Sequence, residues 1–481
     1  MGRAKGVYLN SKGIEILKQA IDNLESKNKG GKALADILGN ISGASIDRLK
    51  AGKQAVETRT IKLICEGVGF KDWRNYVIES EEELEFNPVL LYPCTERFSY
   101  LIEDKTKRFV GREYVLDSFD RFTQKNDRGY FLLQGEPGEG KSAIAAWYAK
   151  TNDCLYYFNI RGEGQNTTEL FLENICLQLI QRYDLKNLLQ SNKQPKSLPV
   201  DATKNSSFLL KLLSEASKKK ENDSKIVIVV DALDEVDFSS QDINTNVLYL
   251  PKHLPEGVYF FLTSRRDVAE LQGRLGFETS QAKINLADFP KSYDDIEDYI
   301  RDFLRDEEYE DSINAWLLKQ GKDQKELIVE LKEKSLRNFL YISLILPELA
   351  NPEGIYKDAL IKELPEGLNR YYDKHWALMD VSADRLRIVC VISRANTLYT
   401  CEQIAYLSGE YDYLKVQLVL NSWMQFLDKR RDKEGSMLYK FYHESYKDYV
   451  FMKEEVKLAC GDPEETDNRI FNNIFPSDVF I

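Results

Sequence analysis

The run from Gly135 to Ser142, Gly-Glu-Pro-Gly-Glu-Gly-Lys-Ser, limits what this chain can fold into more than any other stretch. It fits the pattern G-x-x-x-x-G-K-[ST], in which glycines let backbone N–H groups wrap around phosphate oxygens. The pattern alone is moderately specific, and its surroundings strengthen it. Gly129-Tyr-Phe-Leu-Leu-Gln134 before it reads as a short buried strand, and Ser142-Ala-Ile-Ala-Ala-Trp-Tyr-Ala149 after it as an alanine-rich helix. Strand, glycine loop and helix N-terminus together make an anion cradle. Gly135, Gly138, Glu139, Gly140 and Ala143 are the backbone candidates for binding nucleotide. Lys141 is expected to reach the β- and γ-phosphates, and Ser142 to offer its hydroxyl to Mg²⁺. The side chains of Glu136 and Glu139 are expected to point outward, because inward carboxylates would repel phosphate.

Further along, Lys225-Ile-Val-Ile-Val-Val230 is a near-continuous apolar run, as in the central strand of a parallel sheet covered on both faces. It ends in Asp231-Ala-Leu-Asp-Glu235, an acidic tip at the sheet edge where such folds bind ligands. Asp231 is the expected metal-side carboxylate, acting through a bound water. Glu235 is the first choice to orient or deprotonate an attacking water, with Asp234 as its alternate or partner. Val258-Tyr-Phe-Phe-Leu-Thr-Ser264 is another buried strand, followed by Arg265, which at that edge can stabilise charge on a γ-phosphate, and by Arg266, with Asp267 as a local partner. Upstream, Phe109-Val-Gly-Arg-Glu113 is placed to bring Arg112 beside the base or ribose. Cys154–Phe158 reads as a strand, and 168–185 and 208–219 as helices separated by a Ser-, Asn-, Lys- and Pro-rich excursion.

These motifs occur in an order that resembles the signal-transduction ATPases with numerous domains (STAND), most of all the NACHT-type proteins of bacteria and cyanobacteria. The likeness covers roughly residues 107–450 and rests on Phe109–Glu113, Gly135–Ser142, Asp231–Glu235 and Thr263–Arg265. It implies a P-loop α/β core followed by helical and winged-helix modules. It also implies that ADP holds the modules closed, while ATP opens them for oligomerisation. Lys141 and Ser142 would then bind phosphate and Mg²⁺, Asp231 would support the metal, and Arg265 would be the sensor arginine. Where related plant and animal ATPases carry a Gly-x-Pro turn, this chain has Arg337-Asn-Phe-Leu340. Phe441-Tyr-His-Glu-Ser-Tyr-Lys-Asp-Tyr449 resembles the end of the NACHT winged-helix module, whose histidine reaches the β-phosphate of ADP; His443 stands at that place.

Charge divides the chain unevenly. Residues 1–74 hold 14 Lys and Arg against 8 Asp and Glu, about +6, while the whole chain is −12, leaving about −18 for the rest. The larger part is therefore a poor nucleic-acid surface. Short helical patterns at 14–23, 32–38, 45–50 and 60–67 suit a small bundle. That bundle resembles phage-repressor helix-turn-helix modules, which would place Arg48, Lys50, Lys53 and Arg59 near DNA. Such bundles also serve as protein adaptors, and Asp47 would face phosphate unfavourably.

The expected organisation is multidomain α/β plus α. A helix-turn-helix-like module (1–74) and a linker (75–106) precede the P-loop domain (107–285). A helical domain (286–362), a winged-helix domain (363–455) and a tail (456–481) follow. In the winged helix, 423–427 and 437–442 pair as wing strands across a charged turn at 428–435. The seven cysteines are widely spaced and odd in number, which suggests dispersed, reduced thiols in a cytoplasmic protein. No leader or membrane-length apolar run is visible. The combined expectation is an Mg²⁺-dependent ATPase with slow hydrolysis. It would bind ATP and ADP, self-associate with nucleotide and serve signalling or defence through an unidentified protein trigger. A DNA-binding regulator using residues 1–74 and a non-hydrolysing, ADP-locked scaffold are the alternatives. With so little chain after the winged helix, either the N-terminal bundle carries the output or a sensor lies beyond this sequence.

Overall fold

The computed structural model describes residues 96–460 apart from 190–197, 222–223, 240, 243, 379–381, 395–397, 411 and 432–434. Within the first 95 residues it describes only 6–9, 17, 56–57, 65 and 77–78. The chain divides into two compact units, residues 1–97 with 176–202 and residues 98–175 with 203–481.

In the first unit, β1 (Gly6–Leu9) lies between β2 (Val56–Glu57) and β3 (Val77–Ile78), antiparallel to both. The sequence reading had only helices in residues 1–74. The valine and tyrosine of Gly6-Val-Tyr-Leu9 favour the extended pairing that forms instead. Leu17 and Cys65 are helical and buried. The rest of the proposed helical bundle, with Arg48, Lys50, Lys53 and Arg59, lies outside the described residues, as does the tail after Cys460.

The second unit is built on a five-stranded parallel sheet. Its strands are β4 (Gly129–Gln134), β5 (Leu155–Phe158), β6 (Ile226–Asp231), β7 (Val258–Ser264) and β8 (Gln281–Asn285), in the order β5-β6-β7-β4-β8. β4, β6 and β7 are buried along their whole length, as their unbroken apolar runs require of strands covered on both faces. β8 is different. Gln281-Ala-Lys-Ile-Asn pairs only with β4 and is half exposed, which suits an edge strand and explains why its polar sequence gave no signal. The flanking helices are α1 (Ser99–Thr106), α2 (Glu113–Lys125), α3 (Lys141–Thr151), α4 (Thr168–Arg182, of which Thr168–Ile175 belong to this unit) and α5 (Ser207–Lys219). α1, expected as linker, packs on α3.

After the sheet the chain turns helical. α6 (Ser292–Leu304), α7 (Glu310–Gln320), α8 (Gln324–Lys334) and α9 (Phe339–Ala350) form a cluster around Ile300, Trp316, Leu331 and Ile345. Asp323 caps α8 through a capping box with Glu326, and Asn338 caps α9. Then come α10 (Gly367–Leu378), α11 (Ala383–Arg394), β9 (Tyr399–Thr400), α12 (Cys401–Ser408) and α13 (Tyr413–Ser422). β10 (Leu427–Arg431), β11 (Met437–Phe441), α14 (Glu444–Met452) and α15 (Glu454–Cys460) complete the described part. β11 pairs antiparallel with both β10 and β9.

Two expectations change here. The hairpin pairs Leu427–Arg431 with Met437–Phe441, so Asp428–Arg431, expected as turn, are strand whose exposed positions take the charges. And Cys390 and Cys460 are not dispersed thiols but a disulfide joining α11 to α15, with Cα atoms 5.6 Å apart. Their 70-residue separation hides that pairing from the sequence. Among the described residues no helix is long and apolar enough to cross a membrane.

Candidate functional site

The site forms where neighbouring strands end. β7 runs between β6 and β4, so the loops leaving Gln134, Asp231 and Ser264 meet at one edge of the sheet. In the loop after β4, Gly138 and Gly140 take φ of +85° and +96°, which L side chains rarely adopt. α3 begins at Lys141, whose Nζ donates to the carbonyls of Gly135 (2.9 Å) and Glu136 (3.0 Å). Burial lowers the pKa of Lys141, with the carboxylates of Asp234 and Asp231 acting the other way.

Glu136 does point outward, but it pairs with Arg266 (Nη2–Oε1 2.5 Å), the arginine expected to use Asp267. Glu139 turns inward, against expectation. Its side chain is buried, and Oε2 accepts the N–H of Glu136 at 2.7 Å. A loop rich in unpaired N–H groups satisfies this carboxylate locally, which offsets the repulsion argument. A Cβ on Gly135 would lie 2.6 Å from the same Oε2.

At the tip of β6, Asp231 is buried and accepts from the hydroxyls of Thr263 and Ser142. Burial raises its pKa, and the two hydroxyls oppose the rise. Asp234 accepts the Arg265 backbone N–H (2.9 Å) and pairs with the Arg265 Nε (2.8 Å). Glu235 accepts the Arg161 N–H at 3.2 Å. Its pKa is pushed up to about 8, first by burial, then by the nearby charges of Glu444 and Asp234. The Arg265 Nη1 donates to Asp448 on α14 at 2.6 Å, so this arginine ties the sheet edge to the C-terminal helix. Just ahead of α14, His443 accepts the Ser445 N–H on Nδ1 at 3.1 Å. Burial, then the positive charges of Lys105, Arg265 and Lys141, hold its pKa down at about 3. The ring is therefore neutral at neutral pH. With Nδ1 accepting, Nε2 carries the proton and is a donor.

Most of these groups border one cavity of about 320 Å³, lined by Gly138, Gly140, Lys141, Ser142, Ala143, Asp234, Glu235, Arg265 and His443, whereas Gly135, Glu139 and Asp231 do not line it. Its far end is aromatic. Phe109 stacks on Trp147 (4.7 Å) and Phe303 on Tyr309 (4.6 Å), while Phe339 carries the Arg112 guanidinium 4.4 Å from its ring centre. Arg112 also lines the cavity, but each of its three side-chain nitrogens already has a partner within the protein. They reach Tyr114 Oη (2.6 Å), the Glu139 carbonyl (2.6 Å) and the Asp295 carboxylate (3.5 Å). Arg108 lies over Phe303 and pairs with Asp302 and Asp306. The sequence reading placed the Phe109–Glu113 motif beside the base or ribose but missed Phe303 and Tyr309, which come from another part of the chain and carry no local motif. Phe339 sits at the position singled out for lacking Gly-x-Pro, a second hint.

The donors fit a magnesium nucleotide. Positive-φ glycines and Lys141 suit a polyphosphate, and an aromatic end suits a base. Among the described residues no three His, Cys, Asp or Glu side chains cluster as a metal cage. The hydroxyl of Ser142 beside Asp231 matches Mg²⁺, which takes few protein ligands and completes its shell with phosphate and water.

One family model covers the part of the sheet that carries this site. Residues 115–265 match the family model described as Nephrocystin 3, N-terminal. The match spans the chain from α2 to the end of β7 and does not speak to a bacterial source. Among curated proteins none matches the chain at a significant level. Of solved structures, the STAND protein with a tetratricopeptide repeat sensor from Pyrococcus horikoshii is similar at 15% identity and a TM-score of 0.39, over 77% of this chain and 49% of that one. This chain thus spans about half the length of that protein. A chain of the Drosophila ORC bound to DNA is similar at 14% identity and a TM-score of 0.21, over 79% of this chain and 97% of that one.

Proposed function

We propose that this chain is a nucleotide-gated switch that binds ATP and ADP with Mg²⁺ and hydrolyses ATP slowly. The observation that carries the reading is the single cavity in which the phosphate loop, the acidic tip of β6, Arg265 and His443 converge. Lys141 exchanges its two loop carbonyls for phosphate oxygens. Ser142 and Asp231 hold the metal, which, when bound, neutralises charge on the transferring phosphoryl group. Glu235 takes a proton from the attacking water, with Asp234 fixing Arg265 beside it.

The present arrangement fits a resting state. A Glu235 that titrates near 8 is mostly a neutral acid at pH 7 and a poor base. Arg265 is held by Asp448. Asp448 and Glu444 both lie on α14, so withdrawal of α14 frees the Nη1 of Arg265 and removes a carboxylate charge that, after burial, opposes ionisation of Glu235. Exposure of the surfaces α14 now covers is the proposed route to self-association in signalling or defence.

Phosphate release by wild type and Glu235→Gln tests this reading. A slow, Mg²⁺-dependent rate that drops at least tenfold in the variant supports it. A wild type that binds nucleotide without any turnover turns the reading to the non-hydrolysing scaffold.

A further inference from the structure

α9 meets the phosphate loop directly. Its cap residue Asn338 uses both ends of its carboxamide: Oδ1 accepts the N–H of Tyr341 at 2.9 Å, and Nδ2 donates to the carbonyl of Pro137 at 2.8 Å. The next two backbone N–H groups, of Phe339 and Leu340, both donate to the carbonyl of Gly138, at 2.9 and 3.2 Å. The first-turn donors of a helix are normally left for side chains or water; here the loop's own carbonyl takes them. They are therefore spent and are not an anion site. The contact is also steric, since a Cβ on Gly138 would run into the Asn338 carboxamide. Gly138 holds its left-handed φ against this neighbour, two residues before the φ +96° of Gly140.

We propose that Asn338 is a positioning residue for nucleotide binding: its Nδ2 holds the Pro137 carbonyl turned toward α9, so that the opposite face of the Pro137–Gly138 peptide presents the Gly138 N–H to phosphate. This rests on the nucleotide-binding reading of the cavity. A peptide whose carbonyl is fixed has its neighbouring N–H fixed with it, because the unit is planar. The loop is then pre-organised before phosphate arrives, which removes an ordering cost from binding. By linkage, bound nucleotide must strengthen the attachment of α9 as much as that attachment strengthens binding.

The two ends of the carboxamide separate positioning from capping. Asn338→Ser keeps a neutral cap oxygen of similar quality but is too short to reach Pro137. Asn338→Ala loses both. Titration of Mg·ADP into nucleotide-free full-length protein, with a melting curve of each nucleotide-free variant, is the test. We expect Asn338→Ser to melt within about 2 °C of wild type yet bind Mg·ADP about tenfold more weakly. Asn338→Ala should share that loss of affinity and also melt lower. Equal affinity of wild type and Asn338→Ser, or a loss of affinity found only in the variant that also melts lower, overturns the proposal and leaves the nucleotide reading standing. A wild type that binds no nucleotide removes both.

Discussion

Arg112 offers a direct energetic test of how the phosphate loop is tied to α6 and α9. Its side chain is 3% exposed and that of Asp295 is 8% exposed, and Nε and Oδ2 lie 3.5 Å apart. At that distance two unit charges attract by about 5 kcal/mol for an effective dielectric constant of about 20. That gross figure is an upper bound on the pair. Removing one partner of a buried ion pair costs about 3–5 kcal/mol, because the other charge is stranded. Burial already raises the pKa of Asp295, and the Arg112 charge opposes the rise, so Asp295 in an Arg112→Ala protein holds its proton to higher pH still. Arg112→Ala is therefore expected to lose about 3–5 kcal/mol of stability. Asp295→Asn should lose less, since the amide oxygen can still accept from Tyr114, which donates to Oδ2 at 3.0 Å. In the double variant the two losses should fall short of additive by about 2–3 kcal/mol. Arg112→Lys should not rescue, because an ammonium cannot reach the Glu139 carbonyl and Asp295 while covering Phe339. Urea unfolding followed by both fluorescence and circular dichroism supplies the numbers; two probes are needed because a chain of several modules need not unfold in one step. A coupling energy below about 0.5 kcal/mol would refute the argument, since distant, independent sites behave that way.

Other outcomes follow from the same geometry. Glu235 keeps its proton to about pH 8, so ATP hydrolysis should climb with pH through that region, and Glu444→Gln should move the climb to lower pH in a pH–rate profile. The sign for stability is opposite: a raised carboxyl pKa stabilises the fold fully below the unfolded value near 4.3 and loses that stabilisation as pH rises through about 8, so Glu235→Gln should flatten the fall in melting temperature across this window. Phe109→Ala should weaken ADP by about 1–3 kcal/mol while leaving inorganic pyrophosphate unchanged, as read by calorimetry, if the aromatic end of the cavity holds the base. Reductant should lower the melting temperature of the wild type but not of Cys390→Ala, because a crosslink spanning 70 residues contributes about 2–4 kcal/mol.

The sheet and its loops were legible because each buried strand is an unbroken apolar run ending in a chemically loaded turn. Val230 leads into Asp231, Ser264 into Arg265, and Gln134 into the glycine loop. Five features were not legible, for three reasons. β8 is a polar edge strand whose pairing depends on β4 lying beside it. The inward turn of Glu139 depends on backbone donors that only the folded loop presents. The Asp448–Arg265 pair, the aromatic end of the cavity and the Cys390–Cys460 bridge join residues far apart in sequence. His443 was found only through family resemblance, and its neutral state required knowing which cations surround it.

Calorimetric titration of ADP and ATP, each with Mg²⁺, into nucleotide-free wild type and Lys141→Ala protein tests the central claim most directly. One nucleotide should bind per chain, and affinity should fall about 100-fold when the Lys141 charge is removed. Equal binding by the two proteins, or no binding by the wild type, contradicts the assignment of this cavity to a nucleotide.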